Sequence, residues 1–236
     1  MSRARSQPQP AASLSAGIRA SLPLVPGVAA FSLVYGVLAR HAGLSLDATL
    51  AMSALVFAGA AQFTAVSMWT QASPALIVLT TFIINLRHLL MGASLAPHLR
   101  REPTPWKAVL AFGTADETYA LAISRYLQGD GSRAYFLGVS GTLYGTWVAA
   151  TLAGATVGGQ VPDPTRWGIG LVFPLTFLGL LVPLLTGRVT LLVAAASAAT
   201  AVVTAPWLPG KGNVLLAILL GSILGAALEA RWATTR

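Results

Sequence analysis

An arginine and a histidine interrupt one of the most apolar stretches of this chain. The segment from Ala75 to Leu86 carries no charge, Arg87 and His88 follow, and the apolar pattern resumes at Leu89, Leu90, Met91 and Gly92. No proline or turn cluster lies between Ala75 and Ala96, so the stretch reads as one helix long enough to cross a bilayer, with Arg87 near its middle. A central arginine costs roughly 3 kcal/mol on insertion scales, so something must neutralise it. The next long apolar segment carries Asp116 and Glu117 near its own middle. Opposite charges at matching depth in neighbouring apolar spans are the ingredients of a transport site. Adjacent helical residues point about 100° apart, so one acid faces Arg87 and the other is left for a solute or a proton. The competing reading is a helix break at Asp116 that leaves both acids solvated near a surface.

Other polar residues in the early spans extend this candidate site. Asn85, His88 and Gly92 share one helix face at spacings of three and four, and Arg87, Met91 and Ser94 occupy the adjoining face. His88 reads either as a coupling residue or as a buried histidine donating to a carbonyl. In the preceding span Gln62 follows the small-residue patch Ala58-Gly59-Ala60-Ala61, where helices can approach closely. Its amide needs a partner away from water, which is either another helix or a solute. In the first span Pro26-Gly27 can break the helix and expose backbone donors to a carboxylate, the usual construction of a midplane transport site. The alternative is a helix start near an interface, where proline is tolerated in the first turn.

Composition sets the class. Of 236 residues, 55% are hydrophobic and 9% charged, against about 25% charged in soluble domains. Mean hydropathy is +0.71. These values describe an all-α polytopic membrane protein. The chain has no cysteine, which excludes disulfides and cysteine-held metals. Its net charge of +8 comes mostly from Arg and Lys between apolar runs, where they meet lipid headgroups. No basic stripe interleaved with aromatics points to nucleic acid. No metal or cofactor is expected.

Residues 1–16 are polar and rich in Pro, Ser and Ala, and read as a disordered tail before a single transmembrane domain over 17–236. Apolar segments follow near residues 21–39, 46–70, 75–96, 106–127, 134–157, 167–185, 189–208 and 213–232. They predict seven to eight crossings, with the first span as the place for a broken or re-entrant segment. Phe173-Pro174 predicts a kink in the sixth. Gly141/Gly145, Gly154/Gly158 and Gly221/Gly225 each have the Gly-xxx-Gly spacing of close helix contacts. Tyr35-Gly36 echoes Tyr144-Gly145, too short a match to establish a repeat. Basic residues fall on both sides of an eight-span arrangement in similar number, so charge leaves the orientation open.

Two other function classes compete with a carrier. A membrane enzyme is suggested by Gly138-Val139-Ser140-Gly141, which imitates the motif around a rhomboid protease nucleophile. A rhomboid base comes from a later span, whereas His41, His88 and His98 all precede Ser140. A passive channel or scaffolding subunit stays open. No phosphate-binding GxxxxGK[ST] loop is present, so the chain does not hydrolyse ATP itself.

Five motifs in order carry a family resemblance. They are the Pro, Gly, Phe and Tyr-Gly pattern from Pro23 to Gly36, AGAAQF from Ala58 to Phe63, NLRH from Asn85 to His88, SLAPHL from Ser94 to Leu99, and TADETYAL from Thr114 to Leu121. Together they resemble the AzlC family, large subunits of bacterial branched-chain amino acid exporters that include YgaZ. The Ala29-Ala30 pair departs from the family, which often has a proline near the Phe. The resemblance implies export of leucine, isoleucine and valine, with methionine or analogues in some members. It implies residence in the bacterial cytoplasmic (inner) membrane and a small four-span partner subunit of the AzlD or YgaH type. It places the family's standout elements on Asn85, Arg87, His88, Asp116 and Glu117. Gln62, Gly27 and Gly59 complete the candidate substrate or coupling residues. A permease or channel subunit for another amino-acid-like solute is the alternative.

Overall fold

In the computed structural model the described residues are 13–158, 185–208 and 212–233, with Leu178, Leu181 and Val182 between them. Every regular element among them is helical. The loop expected at 159–165 lies outside the described residues. So does most of the sixth expected span, Phe173-Pro174 included. Two compact units divide the chain: Met1–Gln62 with Ile84–Pro162, and Phe63–Ile83 with Asp163–Arg236.

The first span is helical from end to end. The Ser13 hydroxyl accepts from the Ala16 N–H and caps α1 (Leu14–Ser21), so helix starts inside the stretch read as tail. One 3-10 turn over Leu22–Leu24 leads into α2 (Val25–His41). The break expected at Pro26-Gly27 does not occur. Pro26 occupies the first turn of α2, where its missing N–H costs no helical hydrogen bond.

The spans that break are later ones. Span two is two short helices, α3 (Leu46–Val56) and α4 (Gly59–Met68), parted at Phe57-Ala58. Span three is α5 (Pro74–Asn85) and α6 (Arg87–Leu95), joined by a single turn residue, Leu86. Span four is α7 (Thr104–Phe112) and α8 (Asp116–Leu127), parted at Gly113 to Ala115. The single helices expected for spans two and four are thus corrected to pairs, whereas span three remains one helical run, Pro74–Leu95, with a local interruption at Leu86. The helix break of the competing reading occurs, but Asp116 pairs with Arg87 across it. The physical reason for the break is local, with Gly113 ending α7 and Ala115 in extended conformation at φ −120°.

The long helix α9 (Arg133–Gly158) is the scaffold of the first unit and packs against α1, α2, α3, α7 and α8. Contact with the first span is backbone to backbone. A Cβ on Gly36 would lie 2.4 Å from the Thr151 carbonyl oxygen, and one on Gly154 would lie 2.0 Å from that of Leu33. Gly17 and Gly138 repeat this between α1 and α9. Of the two Gly-xxx-Gly pairs in this helix, Gly154/Gly158 is used, whereas Gly141 and Gly145 face open space. The echo between Tyr35-Gly36 and Tyr144-Gly145 therefore has no counterpart in packing.

In the second unit α10 (Arg188–Thr204) packs on α11 (Gly212–Ala233). Gly221 admits Ser197 there, and the Asn213 amide donates to the Ala201 carbonyl at 2.8 Å. Among the described residues four helical runs are long and apolar enough to cross a membrane: Leu14–His41, Pro74–Leu95, Arg133–Gly158 and Gly212–Arg231.

Candidate functional site

Three interruptions in successive apolar spans position the polar side chains of the first unit. The first is held by Phe57, whose φ of 44° puts it in the left-handed region. A residue with a Cβ pays roughly 1–2 kcal/mol for that conformation. Burial of its ring against Tyr144, edge-on at 5.1 Å, offsets the cost. Beyond it α4 opens at Gly59, where a Cβ would lie 2.9 Å from the Trp147 ring, so this position is glycine because an aromatic passes over it.

Beside this break lies a buried polar cluster. Ser53 Oγ accepts from Gln62 Nε2 and from Trp147 Nε1, each at 3.1 Å, and sits 2.9 Å from Thr151 Oγ1. A hydroxyl has two lone pairs and one proton. With both acceptor positions taken, Ser53 must donate to Thr151. Gln62 Nε2 thus donates across helices, while no hydrogen bond to its buried Oε1 is made among the described residues. Tyr35 stacks on Trp147 at 6.2 Å, and Phe31 meets the same ring edge-on.

The interruption of span three at Leu86 lies two residues before His88. The Leu89 N–H bonds to the Leu86 carbonyl at 3.0 Å, a tightened turn, while His88 Nδ1 lies 3.1 Å from the Asn85 carbonyl oxygen. A carbonyl only accepts, so Nδ1 carries the proton and Nε2 is the ring nitrogen left for another partner. His88 thus adopts the carbonyl-bonded geometry and still presents a second nitrogen.

The third break creates the charged centre. Asp116 is the first residue of α8, where the helix dipole favours a carboxylate. Its Oδ2 lies 3.0 Å from Arg87 Nη1, which opens α6. The side chains are 32% and 49% exposed from the rest of the chain, so the pair is partnered yet reachable. Glu117, the next residue, is within electrostatic reach of both. Ser94 and Tyr119 join α6 to α8 through a 2.7 Å hydrogen bond between their hydroxyls. Three buried polar atoms nearby in sequence have no hydrogen-bond partner among the described residues: Asn85 Oδ1, Arg87 Nε and Thr118 Oγ1. Such atoms are costly in isolation and need water or a ligand.

A face of α9 supports two of the breaks. Ser140, Tyr144, Trp147 and Thr151 follow one another at spacings of four, three and four. Gly113 lies over Ser140, with a Cβ position 2.9 Å from the Ser140 Cβ. Tyr144 touches both Phe57 and Phe112, which is edge-on at 5.7 Å. Ser140 is thus a buried packing residue under Gly113.

The sequence-expected residues separate into three places. Asn85, Arg87, His88, Asp116 and Glu117 gather at the α6 and α8 starts. Gln62 and Gly59 belong to the Ser53–Trp147 cluster. Gly27 is exposed, with nothing within 4 Å of an added Cβ. Gly27→Ala is accordingly expected to leave transport within about twofold of the parent and to stabilise the helix by roughly 0.5–1 kcal/mol. A thermal melt and a transport assay on the same preparation check it. Ser53, Trp147 and Thr151 are the residues of the buried polar cluster that the sequence reading lacks. The four-three-four stripe on α9 was a signal available for the last two.

The family described as AzlC protein matches residues 23–161. The chain belongs to the AzlC family. The matched region contains all three helix interruptions and the Arg87–Asp116 pair. Relatives extend the likeness. The chain is 29% identical to the inner membrane protein YgaZ of Escherichia coli, over 95% of each chain. It is 31% identical to an uncharacterised membrane protein of Archaeoglobus fulgidus, covering 73% of this chain and 76% of the relative. It is also 27% identical to the branched-chain amino acid transport protein AzlC of Bacillus subtilis, over 67% of this chain and 61% of that one. No solved structure matches. In this AzlC family member Arg87 and Asp116, each inside one of the resembling motifs, form an ion pair.

Proposed function

We propose that this AzlC family chain is a multi-pass subunit of the cytoplasmic (inner) membrane that exports branched-chain amino acids with a small four-span partner of the AzlD type. The observation that carries the reading is the ion pair between Arg87 and Asp116, each the first residue of a helix that restarts inside an apolar span. A branched-chain amino acid is a zwitterion with an apolar tail. Its carboxylate takes the place of Asp116 on Arg87, and its ammonium is met by Asp116 or Glu117. Asn85 Oδ1 and Thr118 Oγ1 supply further acceptors, and Arg87 Nε a further donor, for the bound solute. When the solute leaves, Arg87 pairs with Asp116 again, so no bare charge is stranded in lipid. His88 and Glu117 are the residues for proton coupling. Gln62 and Gly59 act at one remove, holding the break in span two. The B. subtilis relative named for branched-chain amino acid transport supports the substrate class. Beside the four long runs, spans two and four crossing as pairs of half-helices and α10 crossing by itself give seven crossings, and the apolar segment near residues 167–185 gives an eighth.

Efflux from cells loaded with labelled leucine tests the proposal. Expression with the small partner is expected to raise the initial efflux rate at least about tenfold over either subunit alone, and excess valine to compete. A rate unchanged by the partner, or one that does not saturate, removes the carrier reading. Competition by acidic or cationic amino acids in place of valine favours the alternative of a permease for another amino-acid-like solute.

A further inference from the structure

A cavity of about 390 Å³ opens at the other end of α6 from the ion pair. Gly92, Ala96 and Leu99 form one wall, at spacings of four and three. Lys107, Ala111 and Thr114 form the facing wall at the same spacings. Each wall starts in a helix, α6 or α7, and continues into the turn beyond its end, so the cavity is a groove running from the α6–α7 loop toward the middle of the span. Its lining is almost wholly apolar except at the mouth, where Arg100 and Lys107 stand.

The mouth carries uncompensated positive charge. Arg100, Arg101 and Lys107 have no ion-pair partner within 4 Å among the described residues. Glu102, the acid of the same loop, is taken by Arg133 at 2.9 Å. Lys107 Nζ donates to the Arg100 carbonyl at 3.2 Å, which holds its ammonium at the mouth and leaves it two more protons to donate. The depth is marked by Trp106, partly exposed beside Lys107 and stacked under the Arg133 guanidinium at 4.6 Å. Tryptophan at the end of a span sits at headgroup level. Among the described residues no carboxylate lines the groove, so the ammonium of a zwitterionic amino acid finds no match there. The groove thus differs in chemistry from the Arg87–Asp116 centre.

We propose that this groove binds one acyl chain of an anionic membrane phospholipid, with the lipid phosphate held by Arg100 and Lys107. Charge complementarity selects the headgroup, and the apolar walls take the chain. A basic pocket between spans at headgroup depth is a suitable acceptor for such a lipid. The inference does not depend on what the chain transports.

Native mass spectrometry of the full chain, titrated separately with phosphatidylglycerol and with phosphatidylcholine of the same acyl chains, reads the preference directly. Phosphatidylglycerol is expected to be retained roughly tenfold or more over phosphatidylcholine. In the Arg100→Gln/Lys107→Gln variant the two lipids become equal. Ala111→Trp fills the groove and removes the tight adduct with both cations still in place. Millimolar inorganic phosphate leaves the adduct intact, because it lacks the chain. Equal retention by the parent protein, a preference untouched by the charge variant, or displacement by inorganic phosphate each overturns the proposal. An Ala111→Trp protein that keeps its lipid but loses self-association assigns the groove to a second copy instead.

Discussion

Arg87→Ala and Asp116→Asn each reduce transport by at least about thirtyfold while leaving the amount of inserted protein near that of the parent. About thirtyfold is the lower end of the roughly 2–5 kcal/mol that truncating one partner of a buried hydrogen-bonded charge pair costs, at about 1.4 kcal/mol per decade, as suits a pair that is partly exposed. A purely structural pair and a substrate-exchanging pair make opposite predictions for the double variant. If the two charges only neutralise each other, Arg87→Ala with Asp116→Asn removes both at once and transport recovers. If the solute replaces each partner in turn, the double variant is as inactive as either single one. Counterflow of labelled leucine in proteoliposomes, normalised to protein content, distinguishes them. Full activity in the double variant would remove the charge centre from the transport mechanism.

The second large effect falls far from any charge. Gly154→Leu is expected to yield almost no folded protein, because the added side chain starts 2.0 Å from the Leu33 carbonyl oxygen, an atom that cannot move without displacing α2. Gly36→Leu meets the Thr151 carbonyl in the same way. Separating α2 from α9 also disturbs Tyr35 and Phe31 on Trp147, and with them the support of the break in span two. Gly141→Ala and Gly145→Ala are the matched controls, since neither added Cβ meets anything within 4 Å. Size-exclusion profiles of fluorescent fusions separate the outcomes. A monodisperse peak of parental height for Gly154→Leu would contradict the backbone contact between α2 and α9.

The charged centre was readable from residue order because its cause is a local cost. An arginine in the middle of an apolar run demands an acid, and the nearest acids deep in a neighbouring run are Asp116 and Glu117. The polytopic class and the AzlC motifs were legible for similar reasons, as each resides in a contiguous stretch. The places where helices stop were not. Pro26-Gly27 carries the strongest breaking residues of the first three spans and lies inside an unbroken span, whereas Phe57, an aromatic residue, takes the left-handed turn. What holds Phe57 there is Tyr144, supplied by a distant helix, and no local propensity encodes that contact. Ser53 and Thr151 meet from positions 98 residues apart. The two Gly-xxx-Gly pairs of α9 are equivalent as spacing, yet only Gly154/Gly158 meets α2. Spacing assigns a residue to a face of its own helix. Which face another helix covers depends on how the whole set packs, and that packing is a property of the assembled fold.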